Sequence, residues 1–211
     1  MKFLITSGPT REYIDPVRFI SNASSGKMGS ALAEAAARKG HKVVLVTGPA
    51  ETAKLRGVKT VNVVSAKEMF AQAKKYFASA DIVIGAAAVA DYAPAQTYRG
   101  KLKKTGKTLA LKLKPTKDIL KILGKNKKNR VMAGFALETG ALIFAARKKL
   151  REKNLDLIAA NYPEAIGEEK SSVWLIRPSG NPVVLKNQSK NKIAERIINE
   201  TVKIHDSERA G

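Results

Sequence analysis

The groups best suited to chemistry stand just ahead of an alanine-rich segment: Gly8, Thr10, Ser21, Asn22, Ser24, Ser25 and Gly26. They offer hydroxyls, one side-chain amide and unhindered backbone N–H groups before "KMGSALAEAAARKG", which reads as a helix. Unpaired N–H donors and the dipole at a helix start attract phosphate. Arg18 adds a guanidinium fork that could grip an anion through two parallel hydrogen bonds. A plainer alternative stays open for part of this set. Ser24 or Ser25 would cap the helix, and Asp15-Pro16 would make a turn. No cap calls for Asn22 or Arg18.

The glycines here match neither common nucleotide fingerprint. The stretch lacks G-x-G-x-x-G, and Met28 stands where the phosphate loop G-x-x-x-x-G-K-[ST] needs Ser or Thr after Lys27. The following strand ends Thr47-Gly48-Pro49, without the acidic residue that would bind the ribose of NAD. Lys54 and Arg56 could meet the extra phosphate of NADP, which keeps an NADP-dependent reductase as an alternative. Further along, "KLKKTGK" is a basic run. Lys149 and Lys153 are spaced to share one helix face, either as a joint contact or as a solvated surface.

Charge frames these candidates. The chain carries 39 Lys+Arg against 18 Asp+Glu, a net +21. That balance raises nucleic-acid binding as a second alternative, but there is no aromatic-rich RNA signature, zinc-finger spacing or basic low-complexity tail. A lysine-rich solvated surface and a site for polyphosphate or several anionic substrates both fit. Cysteine is absent, which excludes disulfides, thiolate metal sites and cysteine nucleophiles. No run approaches the roughly 18 apolar residues of a membrane helix. "MKFLITSG" reads as a strand rather than a secretory signal, so a cytoplasmic protein is expected.

The elements that must position these residues alternate. Strands are predicted over Lys2–Gly8, His41–Pro49, Val58–Ser65, Asp81–Tyr92, Arg130–Thr139 and in "LDLIAAN". Helices are predicted over Ser25–Gly40, with Gly40 as C-cap, then in "AKEMFAQAKKYFASA", "PTKDILKILGKN" and "GALIFAARKKLREKN". Ser65 and Glu68 form a capping box. "APAQTYRGKLKKTGK" reads as an extended basic loop, and Thr108–Lys114 alternates like a half-exposed strand. "SVWLIRP" and "NPVVLKN" form an antiparallel hairpin around Ser179-Gly180-Asn181, and a last helix starts near Ser189. The expected fold is one α/β domain over residues 1–211, with a Rossmann-like, mostly parallel sheet, helices on both faces and a C-terminal antiparallel hairpin. Ligands then belong at the carboxyl ends of the strands. The connection from Ser7 to Ser24 is far longer than the roughly 2–6 residues usual in such units.

The segments "TSGPTREYIDPVRFISNASSGKMG", "AAAVADY", "KLKK", "PTKDIL", "GFALET" and "ARKKLREKNLDLIAAN" occur in the order and spacing of phosphopantothenoylcysteine synthetase, which the chain resembles over nearly its whole length. The resemblance implies a ligase of coenzyme A biosynthesis, often fused behind a flavin-dependent decarboxylase. In that chemistry the carboxylate of 4'-phosphopantothenate attacks the α-phosphate of CTP, releasing pyrophosphate. The amine of L-cysteine then displaces CMP from the acyl-cytidylate. CTP as co-substrate, Mg²⁺ and a homodimer are implied, with no membrane and no specific nucleic acid as partner.

Carried over by resemblance, Asn22 is similar to the asparagine that holds the acyl-cytidylate for the cysteine step, and Arg18 to the arginine at the phosphopantothenate end. Lys101 resembles the lysine that neutralises the triphosphate, with Lys103 and Lys104 on a mobile flap. Gly85, Ala86 and Ala87 resemble the strand end whose backbone approaches the nucleotide; close helix–sheet packing would equally explain their small size. Asp91 resembles a ribose or base contact, Phe135 the aromatic beside cytosine, and Lys149 and Lys153 two nucleotide-reaching lysines. Lys117, Asp118, Ile119 and Leu120 match a nucleotide-contacting turn, although Lys117 replaces the family's proline, and Tyr162 replaces an aspartate after Asn161. Gly8, Ser24, Ser25 and Gly26 complete the expected binding set.

Overall fold

A computed structural model of the chain describes residues 1–50, 55–165 and 168–210. Its centre is an eight-stranded sheet in the order β12-β11-β10-β9-β6-β1-β4-β5. The parallel part comprises β1 (Lys2–Ser7), β4 (Lys42–Thr47), β5 (Val58–Asn62), β6 (Ile82–Gly85), β9 (Val131–Leu137) and β10 (Leu157–Asn161). Then β11 (Lys170–Ile176) and β12 (Val183–Ser189) add the expected antiparallel hairpin. The inner parallel strands are buried on both faces, which is why they read as continuous apolar runs.

Alternate strand residues feed two cores, as the pleat requires. Phe3 and Ile5 join Val43, Leu45, Ile82 and Ile84 under α1 (Lys27–Arg38) and α5 (Lys190–Ala210). Leu4, Val46, Val83 and Met132 face the other way, under α2 (Ala66–Phe77), α3 (Ile119–Gly124) and α4 (Leu142–Lys153). Alanine dominates the buried side of α1, with Ala31, Ala33, Ala35 and Ala36 all covered. Small side chains combined with high helix propensity let this helix lie close to both the sheet and α5.

Several local expectations change. The long connection after β1 is no simple loop: it folds into a hairpin of β2 (Arg11–Tyr13) and β3 (Phe19–Ser21). The half-exposed strand expected over Thr108–Lys114 shrinks to β8 (Leu113–Pro115), paired with β7 (Tyr92–Pro94). Its alternating leucines have no neighbouring strand over most of that length, and Leu109 is left exposed. The Asp81–Tyr92 strand, expected to run into a loop, keeps regular strand form only to Gly85. In the capping box, Ser65 Oγ accepts from the Glu68 N–H at 3.2 Å, but the Glu68 carboxylate reaches the N–H of Val64, one residue earlier, at 3.0 Å. At the end of α1 the C-cap is Lys39, and Gly40 follows it with φ 79°.

Sheet order reverses beside β1: the chain runs from β1 outward through β4 to β5, then returns to β6 on the opposite flank. The crevice at that switch point, outside the carboxyl ends of β1 and β6, is where an open α/β sheet binds ligands. Leu32 is fully buried between α1 and the sheet. Leu32→Ala is expected to lower unfolding free energy by about 2–5 kcal/mol, read as a fall in the urea midpoint with unchanged slope.

Candidate functional site

The loops that leave β1 and β6 run side by side over the sheet. Ala86 N–H donates to the Thr6 carbonyl at 3.0 Å, and Ala88 N–H donates to the Gly8 carbonyl at 2.9 Å. Thr10 Oγ1 accepts from the Ala90 N–H at 3.0 Å, and Thr116 Oγ1 donates to the Ala90 carbonyl at 2.6 Å. Asn22 reaches the same strip, its Nδ2 donating to the Val89 carbonyl at 3.0 Å. The chain from Ala86 to Asp91 is thus pinned from three directions.

Two cavities open on this strip. The first, about 240 Å³, is lined by Thr6, Gly85, Ala87, Val89, Asp91, Thr116, Lys117, Asp118, Ile119, Leu120, Phe135 and Lys153, among others. Most of the expected nucleotide set therefore converges here. Asp118 does two jobs: Oδ1 accepts from the Lys121 N–H at 3.0 Å and caps α3, while Oδ2 holds Lys153 Nζ at 2.9 Å. Gly85 owes its size to packing as well as to the cavity. A Cβ on it would sit 2.5 Å from Leu120 Cδ1, so a larger residue would force the Leu120 side chain to move.

The second cavity, about 260 Å³, is lined by Ser24, Ser25, Gly26, Gly29, Ala86, Phe135, Asn161, Ser171 and Lys190, among others, and shares Ala87, Ala88 and Phe135 with the first. It contains the start of α1. The residue in the cap position is Gly26, with φ 71° and no side-chain cap, so neither Ser24 nor Ser25 plays the helix-capping role. Among the described residues, Ser24 Oγ accepts from the Gly26 N–H alone, at 3.4 Å. Without a capping side chain, the first N–H groups of α1 stay available to a ligand. Lys190, the first residue of α5, adds a cation opposite. Burial lowers its pKa, and nearby Lys27 lowers it further. A site that makes a lysine hard to charge while empty favours an arriving anion.

Other expected residues stand apart from the two cavities. Lys149 Nζ pairs with Glu138 at 2.7 Å and does not line either one. Arg18 is committed to Asp15 through Nε at 3.0 Å and also through Nη2. Gly8 lies under the strip and takes φ 71°. Lys101, Lys103 and Lys104 are exposed on the loop between β7 and β8. Of the pair that could meet NADP, Arg56 is exposed in the turn before β5, whereas Lys54 lies outside the described residues. Among the described residues no group of three or more His, Asp or Glu side chains could hold a metal, and no helix is long and apolar enough to cross a membrane.

A family model described as "DNA/pantothenate metabolism flavoprotein C-terminal domain" matches residues 1–204. The chain belongs to this family. It is 43% identical over 202 residues to the coenzyme A biosynthesis bifunctional protein CoaBC of Bacillus subtilis, covering 93% of this chain and 50% of that protein. The corresponding protein of Haemophilus influenzae is 40% identical, covering 94% of this chain and again 50% of the relative. The chain thus spans about half the length of these curated relatives. A crystal structure of a CoaBC C-terminal domain is 39% identical and superposes with a TM-score of 0.85, covering 97% of this chain and 96% of that one. The same α/β fold recurs at 19% identity, with a TM-score of 0.84, in a Cab2 mutant structure titled as a complex with phosphopantothenate-cysteine.

Sequence reasoning passed over Asn161, Ser171, Thr116 and Lys190. Asn161 was legible as the polar residue ending an apolar parallel strand. Lys190 was hidden among many lysines, and only the return of α5 alongside α1 brings it to the cavity. Lys190→Met is expected to weaken binding of inorganic pyrophosphate by about three- to tenfold, measured by titration calorimetry at low salt. Because the pKa of Lys190 is lowered, wild type also loses that ammonium early as pH rises. The gap between wild type and variant should therefore shrink at alkaline pH.

Proposed function

We propose that this chain joins 4'-phosphopantothenate to L-cysteine, with CTP converted to CMP and pyrophosphate. The supporting observation is a pair of cavities meeting at Ala87, Ala88 and Phe135, with Asn22 hydrogen-bonded to the strip between them. Two anionic substrates must react with each other here, and adjoining cavities, one of them carrying an open helix end and Lys190, suit that need. The open start of α1, with Ser24, Ser25 and Lys190, would hold phosphates of the nucleotide. The other cavity would take the base and ribose of that nucleotide, beside Asp91, Phe135 and the Lys153–Asp118 pair, and the acid would meet its α-phosphate at the strip to which Asn22 is bonded.

Chemistry follows in two balanced steps. A carboxylate oxygen attacks the α-phosphorus while the bond to pyrophosphate breaks, giving the acyl-cytidylate. The cysteine amine then attacks the acyl carbon, CMP leaves, and the amine surrenders a proton to solvent. Both steps depend mainly on orientation and on stabilising charge at the transferred groups. Asn22 donates to the acyl oxygen without competing for the amine proton. Lys101 balances charge on the departing pyrophosphate, and the flap bearing Lys103 and Lys104 excludes water from the activated acid. Bound together with the triphosphate, Mg²⁺ would lessen the charge repulsion that the attacking carboxylate meets. It would be bound largely through the nucleotide, since no three-ligand acidic cluster stands among the described residues.

CTP as the triphosphate, and a flavin-dependent decarboxylase as the fused or separate consumer of the product, are taken from the family resemblance. We read the reaction as cytoplasmic, and residues 1–211 as a single catalytic domain. A homodimer is supported by apolar side chains left exposed on the two small hairpins, including Val17, Phe19, Tyr92 and Leu113. Val17→Asp is expected to halve the mass seen by sedimentation velocity, and a monomeric wild type would discard the dimer.

The direct test is incubation with phosphopantothenate, cysteine, Mg²⁺ and each nucleoside triphosphate in turn. Release of pyrophosphate and formation of the amide with CTP are expected; no pyrophosphate with any triphosphate would sink the reading. Asn22→Asp should slow the cysteine step more than activation, so that acyl-cytidylate accumulates. Lys101→Gln should abolish pyrophosphate release, and near-normal release would remove Lys101 from that role.

A further inference from the structure

Asp15 sits at the tip of the β2–β3 hairpin with only 1% of its surface exposed, although it is an ionisable residue in a connection. Its Oδ1 accepts from the N–H groups of Val17 and Arg18, each at 2.9 Å, which closes the turn. Its Oδ2 does something a turn does not need. It accepts from Arg18 Nε at 3.0 Å, from Arg18 Nη2, and from the backbone N–H of Leu102 at 3.1 Å. Arg18 Nη2 then donates to the Leu102 carbonyl at 2.8 Å. Both polar groups of one flap peptide residue are therefore held by a single ion pair from a distant part of the chain. A second tie lies nearby, where Tyr98 N–H donates to the Ile14 carbonyl at 2.9 Å.

Leu102 immediately follows Lys101, and the hairpin that carries Asp15 ends at Ser21, next to Asn22. Ser21 Oγ fastens that end by donating to the Thr10 carbonyl at 2.8 Å. One rigid hairpin thus sets the position of Asn22 at its exit and grips the root of the flap at its tip. We propose that Asp15, acting through Arg18 and the backbone of Leu102, is the positioning residue that fixes Lys101 relative to Asn22. This rests on the ligase reading for the roles of Lys101 and Asn22, but the contacts themselves do not. Arg18 also holds the Asp15 carboxyl well below the usual carboxylate range, so the clamp is ionised at neutral pH.

Asp15→Asn separates this role from that of a turn. The amide keeps an oxygen for the Val17 and Arg18 N–H groups, while its NH₂ faces two donors, Arg18 and the Leu102 N–H, and cannot hold either. The uninhibited full chain is first digested with trypsin without nucleotide. Cleavage at Lys101, Lys103 and Lys104 is expected to be about tenfold faster in the variant, with the thermal midpoint little changed; equal rates would overturn the clamp. Single-turnover quenching then resolves formation of the acyl-nucleotide from its consumption by cysteine. Formation should slow about 100-fold, with KM for the triphosphate near wild type and consumption unaltered. Equal slowing of both steps, together with a lowered thermal midpoint, would show a merely structural residue. Leu102→Pro, which deletes the gripped N–H in the flap itself, should reproduce the split and decides the matter should Asp15→Asn fail to fold. A wild type that releases no pyrophosphate would remove the ligase reading, while the proteolysis result would still judge the clamp.

Discussion

Everything at the ligand end of this molecule hangs on the backbone hydrogen bonds that carry the β1–β6 pairing past the end of the sheet. The partners are Thr6 with Ala86, and Gly8 with Ala88; Pro9 and Ala88 form an isolated parallel bridge just beyond. Loops at a switch point normally diverge. Here they stay together for several residues, and Thr10, Thr116 and Asn22 bond to the strip they create. The cost of ordering so much non-repetitive chain is offset because its buried polar groups find partners within the chain. The floor shared by the two cavities follows from that arrangement.

Electrostatics at the site are unbalanced in one cavity and balanced in the other. Around the start of α1, an open helix end, Lys27 and Lys190 concentrate positive potential, and the lowered pKa of Lys190 reflects its burial there as well as the nearby charge. On the neighbouring side, Lys153 is tied to Asp118, and outside both cavities Lys149 is tied to Glu138. Partly exposed pairs of this type contribute only about 0–1 kcal/mol each. Their value lies in holding long side chains in place, and they can exchange a carboxylate for a ligand anion at little cost. The arrangement suits the proposed joining of two anionic substrates.

Much of this was legible from residues alone. The strand runs, the Ser65–Glu68 cap, the C-terminal hairpin and the α/β class depend on local apolar spacing and composition, which short-range burial enforces. Failures came where partners far apart in sequence decide the outcome. "TLALKLK" has strand periodicity, yet most of it lacks a neighbour to pair with. The β2–β3 hairpin has almost no periodicity, yet Asp15 and Arg18 stitch it together and tie it to Leu102. The serines before α1 look like caps, but Gly26 in a left-handed conformation takes the cap position and leaves the helix end open.

By itself, the sequence determined the strands of the central sheet and the helices that cover it, and it marked Asn22, Lys101 and the Asp91–Phe135 set as a group worth finding together. Only the tertiary structure decided which of them meet. It brought Asn161 and Lys190 to the cavity at the start of α1, and assigned Gly85 to helix packing as well as to the site. It also turned Arg18 inward to Asp15. Element formation is governed by neighbours within a few residues, whereas convergence depends on register and crossover between strands distant in sequence, such as β1 and β6. No local pattern encodes that geometry.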